Sequence, residues 1–134
     1  MEKVLVDIYY TGNNFCAQAP ILTGCVSTAG NLADMKKNIR EAIAFHIESM
    51  VENNDPIPEV FKKEYQLEFK LSVEALLNAY SDIFTKAALS RITGINERQL
   101  WHYASGMRKP RPNQRKRIEE GLRRLGTELL AIEV

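Results

Sequence analysis

The chain has 134 residues, 45% hydrophobic and 26% charged, with a net charge of +1, a composition that can bury a core. No apolar run approaches the roughly 18 residues a membrane helix needs, and MEKVLVDIYY lacks the charged, apolar and small-residue succession of a secretory signal, so a cytoplasmic protein without a membrane partner is expected. The charge is uneven: residues 1–70 balance at −3, residues 71–134 at +4, and the stretch from Lys86 to Arg124 alone at +8.

In KVLVDIYY, Val4, Val6, Ile8 and Tyr10 alternate with Leu5, Asp7 and Tyr9, which predicts a strand with one strongly apolar face. TGNN (11–14) is a turn, because Gly and Asn tolerate positive φ. FCAQA (15–19) is then a second strand, and CVST (25–28) a third beyond a loop bracketed by Pro20 and Gly24. Asn31 with Asp34 three positions on predicts a helix start with a capping-box partner. Leu32, Met35, Ile39, Ile43, Ile47 and Met50 form its apolar stripe, opposite Lys36, Lys37, Arg40, Glu41 and Glu48, so the helix should lie across the sheet. ENNDPIP (52–58) ends it, and YQLEFKL (65–71) alternates as a fourth strand. The front half, residues 1–70, therefore reads β-β-β-α-β, an α+β layer with one helix over a sheet. From Ser72 the period is helical to the end, giving a second domain over 71–134 with almost no linker. The opposed charge balances suggest different partners for the two.

In TKAALSRITGINERQLWHYASGMRKP (85–110), Thr85 caps a helix whose Ala88, Leu89 and Ile92 face inward. Gly94 supplies the left-handed residue that ends it. Ile95 enters the core, and Asn96 caps a second helix that buries Leu100 and Tyr103. Two short helices joined so tightly form a helix-turn-helix. The start of the second helix points Glu97, Arg98, Gln99 and His102 at base edges, where Arg suits guanine, Gln suits adenine and Glu accepts from cytosine. Lys86, Asn96, Arg108, Lys109 and Arg111 are placed for phosphates, through side chains or helix N-terminal amides. His102 serves equally as a phosphate contact, and Trp101 packs against a neighbouring helix or a dimer partner. The competing reading is a basic helical hairpin with no nucleic acid at all.

The segment resembles the helix-turn-helix of the phage-repressor (Cro-like, XRE) family in Leu89, Ser90, Gly94, Tyr103, Ser105-Gly106, Arg108 and Pro110. Lys86 and Ala104 depart from it, standing where that family has Gln and Glu. The front half resembles the HicB antitoxin family in its opening strand, in PILTGCVSTAGNLADMKKNIREAI (20–43) and in NNDPIPE (53–59). That resemblance implies a partial ribonuclease-H-like domain that binds a small basic ribonuclease toxin of HicA type, and a rear domain that binds the operon's own operator DNA. It does not name the toxin-contacting residues. Asp7, Asp34, Glu41 and Glu48 read first as a solvated face.

Together these readings describe an antitoxin that represses its own operon as a homodimer or homotetramer, since such readers use two half-sites about one helical turn apart. The alternative is a transcription regulator whose front domain senses a small ligand or only oligomerises. A third reading, a metal-dependent nuclease, would need carboxylates converging beside Asp7. FCAQA has none, Glu41 and Glu48 lie on the helix's outer side, and His46 reads as packing. No enzyme activity is expected. Cys16 and Cys25 are expected as buried thiols, and two cysteines with two distant histidines make neither a metal site nor a cofactor site.

Overall fold

A computed structural model describes residues 1–134. Alternation builds its first strand: β1 (Glu2–Tyr10) buries Val4, Val6 and Ile8 at 2%, 0% and 0% exposure. Full burial of such side chains stabilises by about 1.5–3 kcal/mol each. Leu5 and Tyr9 point to the opposite face and stay 42% and 45% exposed. At the turn Gly12 takes φ +90, and the backbone N–H of Thr11 donates to the Asn14 carbonyl at 2.9 Å. The chain then returns antiparallel as β2 (Phe15–Gln18), with Ile8 opposite Ala17 and Tyr10 opposite Phe15.

The third strand, β3 (Val26–Ala29), starts one residue later than its sequence suggests. Cys25 belongs to the preceding turn, donating to Leu22 and accepting from Ala19, and it is buried. β4 (Tyr65–Leu71) lies parallel to β1 from Glu2–Tyr65 to Ile8–Leu71. The sheet order is β3-β2-β1-β4, which puts the most apolar strand between two neighbours.

The long helix α1 (Leu32–Glu52) covers one face of the sheet and buries Met35, Ile39 and Ile43. Lys36 and Arg40 close its border with β4, their cationic groups 5.1 and 5.7 Å from the centre of the Phe69 ring. At its start the Asn31 side chain accepts from the Asp34 N–H at 2.8 Å. The expected capping box closes differently, because the Asp34 carboxylate accepts from the Asn31 side-chain amide, also at 2.8 Å. An aspartate is one methylene shorter than the glutamate that usually reaches back to the cap's own N–H. At the other end Asn54 takes φ +57, and Asp55 donates to the Met50 carbonyl at 2.8 Å, a Schellman closure with Asn in place of Gly. A 3₁₀ turn at Glu59–Lys62 then sets Phe61 edge-on to Tyr65, ring centres 5.0 Å apart. No sequence pattern between the loop at 52–58 and the strand at 65–71 announces this turn.

Four helices follow: α2 (Val73–Ala79), α3 (Lys86–Thr93), α4 (Glu97–Ala104) and α5 (Pro112–Leu130). Ser72 caps α2, its hydroxyl accepting from the Ala75 N–H at 3.1 Å. The chain divides into two compact units, Met1–Ala75 and Leu76–Val134, with the division inside α2. The mixed α+β composition matches the sequence reading: one four-stranded sheet and five helices. No helix is long and apolar enough to cross a membrane.

Candidate nucleic-acid interface

The second unit is organised around α3, α4 and the turn between them. The Thr85 hydroxyl accepts from the Ala88 N–H at 3.0 Å and starts α3. Gly94 stops it at φ +75, with its N–H on the Ser90 carbonyl. Asn96 restarts the chain as α4, accepting from the Gln99 N–H at 2.8 Å. Between them Thr93 is buried and ties the turn, donating to the Leu89 carbonyl at 2.7 Å and accepting from the Ile95 N–H at 3.2 Å. Ile95, Leu100 and Tyr103 are all 2% exposed or less. Caps and buried side chains thus fix both helix starts, so the face opposite Leu100 and Tyr103 is left to solvent.

On that face Glu97 and Arg98 are exposed at the start of α4. Gln99 is half-buried, and its side-chain amide donates to the Tyr103 hydroxyl at 2.9 Å, so it already holds one partner. His102 is also half-buried, and its Nδ1 has no hydrogen-bond partner. Arg108, Lys109 and Arg111 are exposed in the stretch after α4, where Gly106 takes φ +78. The Asn78 amide ties the end of α4, donating to the Ala104 carbonyl at 2.9 Å.

Lys86 sits differently from a free phosphate ligand. It is 7% exposed, and its Nζ lies 4.5 Å from the centre of the Trp101 ring. The ammonium thus faces the electron-rich side of an indole that is itself 57% exposed. Trp101 therefore packs on a neighbouring helix, through a lysine.

Two arginines missing from the sequence reading hold the assembly. Arg117 of α5 donates from Nη2 to the Gly94 carbonyl at 2.9 Å, and Arg124 donates to the Ile92 carbonyl at 3.1 Å. Both satisfy carbonyls at the end of α3 that have no acceptor role left inside the helix. Gly121 lies between them against α3, where an added Cβ would meet the Ile92 carbonyl oxygen at 2.8 Å. The spacing of 117, 121 and 124 along one helix side was the available signal, obscured by the run of other bases around it.

In the first unit the register partners of Asp7 are Gln18 and Lys70, neither of them an acid. No three Asp, Glu, His or Cys side chains gather where they could hold a metal ion. Cys16 is half-buried, while burial of Cys25 pushes its thiol pKa up.

A family model described as "HicB_like antitoxin of bacterial toxin-antitoxin system" matches residues 4–91. A 53-residue segment is 34% identical to an "Uncharacterized 14.9 kDa protein in rep-hol intergenic region" of Haemophilus phage HP1 (strain HP1c1), a match spanning 40% of this chain and 40% of that protein. No solved structure gives a significant match.

Proposed function

This chain belongs to the HicB-like antitoxin family of bacterial toxin-antitoxin systems, and from that premise we propose that it neutralises a small basic ribonuclease toxin by binding it and represses its own operon through a helix-turn-helix made by α3 and α4. The family match over residues 4–91 carries the antitoxin half of this reading. The toxin falls to the first unit, whose residues 1–70 are net acidic by three charges and so complement a basic partner.

Operator binding falls to the second unit. Its support is the exposed start of α4, where Arg98 and Glu97 stand free of protein partners, beside the exposed bases Arg108, Lys109 and Arg111. Arg98 takes a base edge, and the three later bases take phosphates. Lys86 acts through Trp101, bracing the indole on the DNA-facing side rather than holding a phosphate directly. A symmetric oligomer then presents two such helices to two half-sites.

The reading is of a binding protein and not an enzyme. Asp7 has no acid as a register partner, and nothing beside it supplies the carboxylate set that metal-assisted phosphodiester cleavage needs. Co-expression with the product of the adjacent reading frame tests the first half: the two proteins should purify together and the toxin's ribonuclease activity should vanish. A mobility-shift titration with the chain's own upstream DNA, against scrambled competitor, tests the second. Failure to co-purify overturns the antitoxin role, and equal affinity for both DNAs overturns operator reading.

A further inference from the structure

The outward face of α4 carries one large apolar side chain among polar ones. At about 100° per residue, the direction opposite the buried Leu100 and Tyr103 passes within about 10° of Arg98, with Trp101 and His102 about 50° to either side. Trp101 therefore shares its face with Arg98. Side chains of a helix lean towards its N-terminus, so the indole covers the turn that bears Glu97 and Arg98. It is 57% exposed there.

The ring is exposed and yet held. The Lys86 ammonium lies 4.5 Å from the ring centre. Lys86 is itself only 7% exposed and forms no ion pair with a carboxylate. A buried ammonium without an anion is costly, so its attraction to the indole fixes the ring against α3. The rest of the ring faces solvent on the same side of α4 as Arg98. An apolar surface fixed in advance loses little conformational entropy when a ligand docks on it.

Chemistry selects the ligand. Where Arg98 takes a base edge, an indole beside it meets the floor of the major groove, whose apolar group is the thymine 5-methyl. Tryptophan has one N–H donor and no acceptor. A cytosine or adenine amino group pressed against it would lose its water and gain no partner.

We propose that Trp101, braced by Lys86, is a specificity-determining contact of α4 that recognises the 5-methyl group of a thymine next to the base edge taken by Arg98. This rests on the operator reading of α4 and deepens it, adding the base type that the apolar part of the face selects.

The test compares the chain's own upstream DNA with the same sequence carrying deoxyuridine for every thymine, which removes the methyl groups and keeps every hydrogen-bonding group. The wild type should bind the deoxyuridine form about fourfold more weakly for each methyl contacted, the contribution of one buried hydrocarbon group of that size. Trp101→Ala, with wild-type circular dichroism, should lose that discrimination while still preferring upstream to scrambled DNA. Wild-type protein supplies a second measurement that does not depend on the variant's folding. In DNA with 5-bromouracil for thymine, the bromine stands where the methyl stood, and irradiation should crosslink it to Trp101, identified by peptide mass. Equal wild-type affinity for the thymine and deoxyuridine forms overturns the contact and leaves operator reading intact. So does a discrimination undiminished in Trp101→Ala, as an effect of deoxyuridine on duplex shape would give, or crosslinking only to other residues. Weakening in Trp101→Ala that is equal on both forms and on scrambled DNA assigns the indole to a sugar and overturns it too. Equal binding of upstream and scrambled DNA by the wild type overturns operator reading itself, and the thymine contact falls with it.

Discussion

Gly121→Ala is the sharpest probe of how α5 packs on α3, because helix propensity and packing predict opposite signs. In an unobstructed helix the change stabilises by about 0.5–1 kcal/mol. At residue 121 the new Cβ would lie 2.8 Å from the Ile92 carbonyl oxygen and 3.1 Å from the Ile92 Cγ2. The first of these is backbone and cannot rotate away, so α3 and α5 must separate. Overpacking of this kind costs about 1–3 kcal/mol. Taking the upper part of that range against a gain near 1 kcal/mol leaves a net loss of about 1–2 kcal/mol. The single tryptophan, Trp101, lies in α4 and reports unfolding of the second unit by fluorescence. For a unit of this size the midpoint should fall by about 5–15 °C, and the same separation strains the Arg117–Gly94 and Arg124–Ile92 bonds. A Gly121→Ala protein as stable as wild type, or more so, would refute the close approach of α3 and α5.

Four further outcomes are expected. Arg98→Ala should relax base preference at one operator position and cost about 1–3 kcal/mol there; uniform weakening on every sequence would remove Arg98 from base reading. Lys109→Ala should reduce the salt slope of DNA binding by about 1 without altering sequence preference, and a changed preference would contradict a phosphate role. Lys86→Met removes the ammonium from the Trp101 ring and should shift the indole emission while lowering second-unit stability by about 0.5–1 kcal/mol; unaltered emission would disprove the contact. Burial raises the Cys25 pKa, so the folded chain keeps a thiol proton that the unfolded chain has already lost in alkali. That stability is whole below the ordinary thiol pKa and falls above it, so Cys25 should alkylate more slowly than half-buried Cys16 at pH 8; equal rates would contradict its burial.

Much of the helix pattern was legible because the interactions that set it are short. Asn31, Ser72, Thr85 and Asn96 each cap through a bond to the N–H three residues on. Gly94 ends α3 because only a left-handed residue fits there. Strand alternation likewise identified Val4, Val6 and Ile8 as core without any knowledge of what covers them. The 3₁₀ turn at Glu59–Lys62 was missed, since one turn between prolines and a strand leaves no period to read.

For the residues the sequence proposes as an interface, the structure adds exposure and partners inside the chain. Arg98, Arg108, Lys109 and Arg111 are exposed as anticipated. Lys86 and Gln99 are engaged within the protein, one on Trp101 and the other on Tyr103. A lysine and a tryptophan fifteen positions apart meet only because Gly94 folds α4 back beside α3, and no local pattern states that distance.

By itself the sequence determined where the capped helices begin, which faces are apolar and where charge accumulates, because bonds spanning a few residues and the solvent's rejection of apolar surface act on any chain segment alone. Only the tertiary structure decided that β4 lies parallel beside β1, that Arg117 and Arg124 serve the carbonyls ending α3, and that Gly121 is crowded while Gly126 stands open. Those outcomes depend on which distant segments share a boundary, and identical residue types acquire opposite roles according to what the fold sets against them.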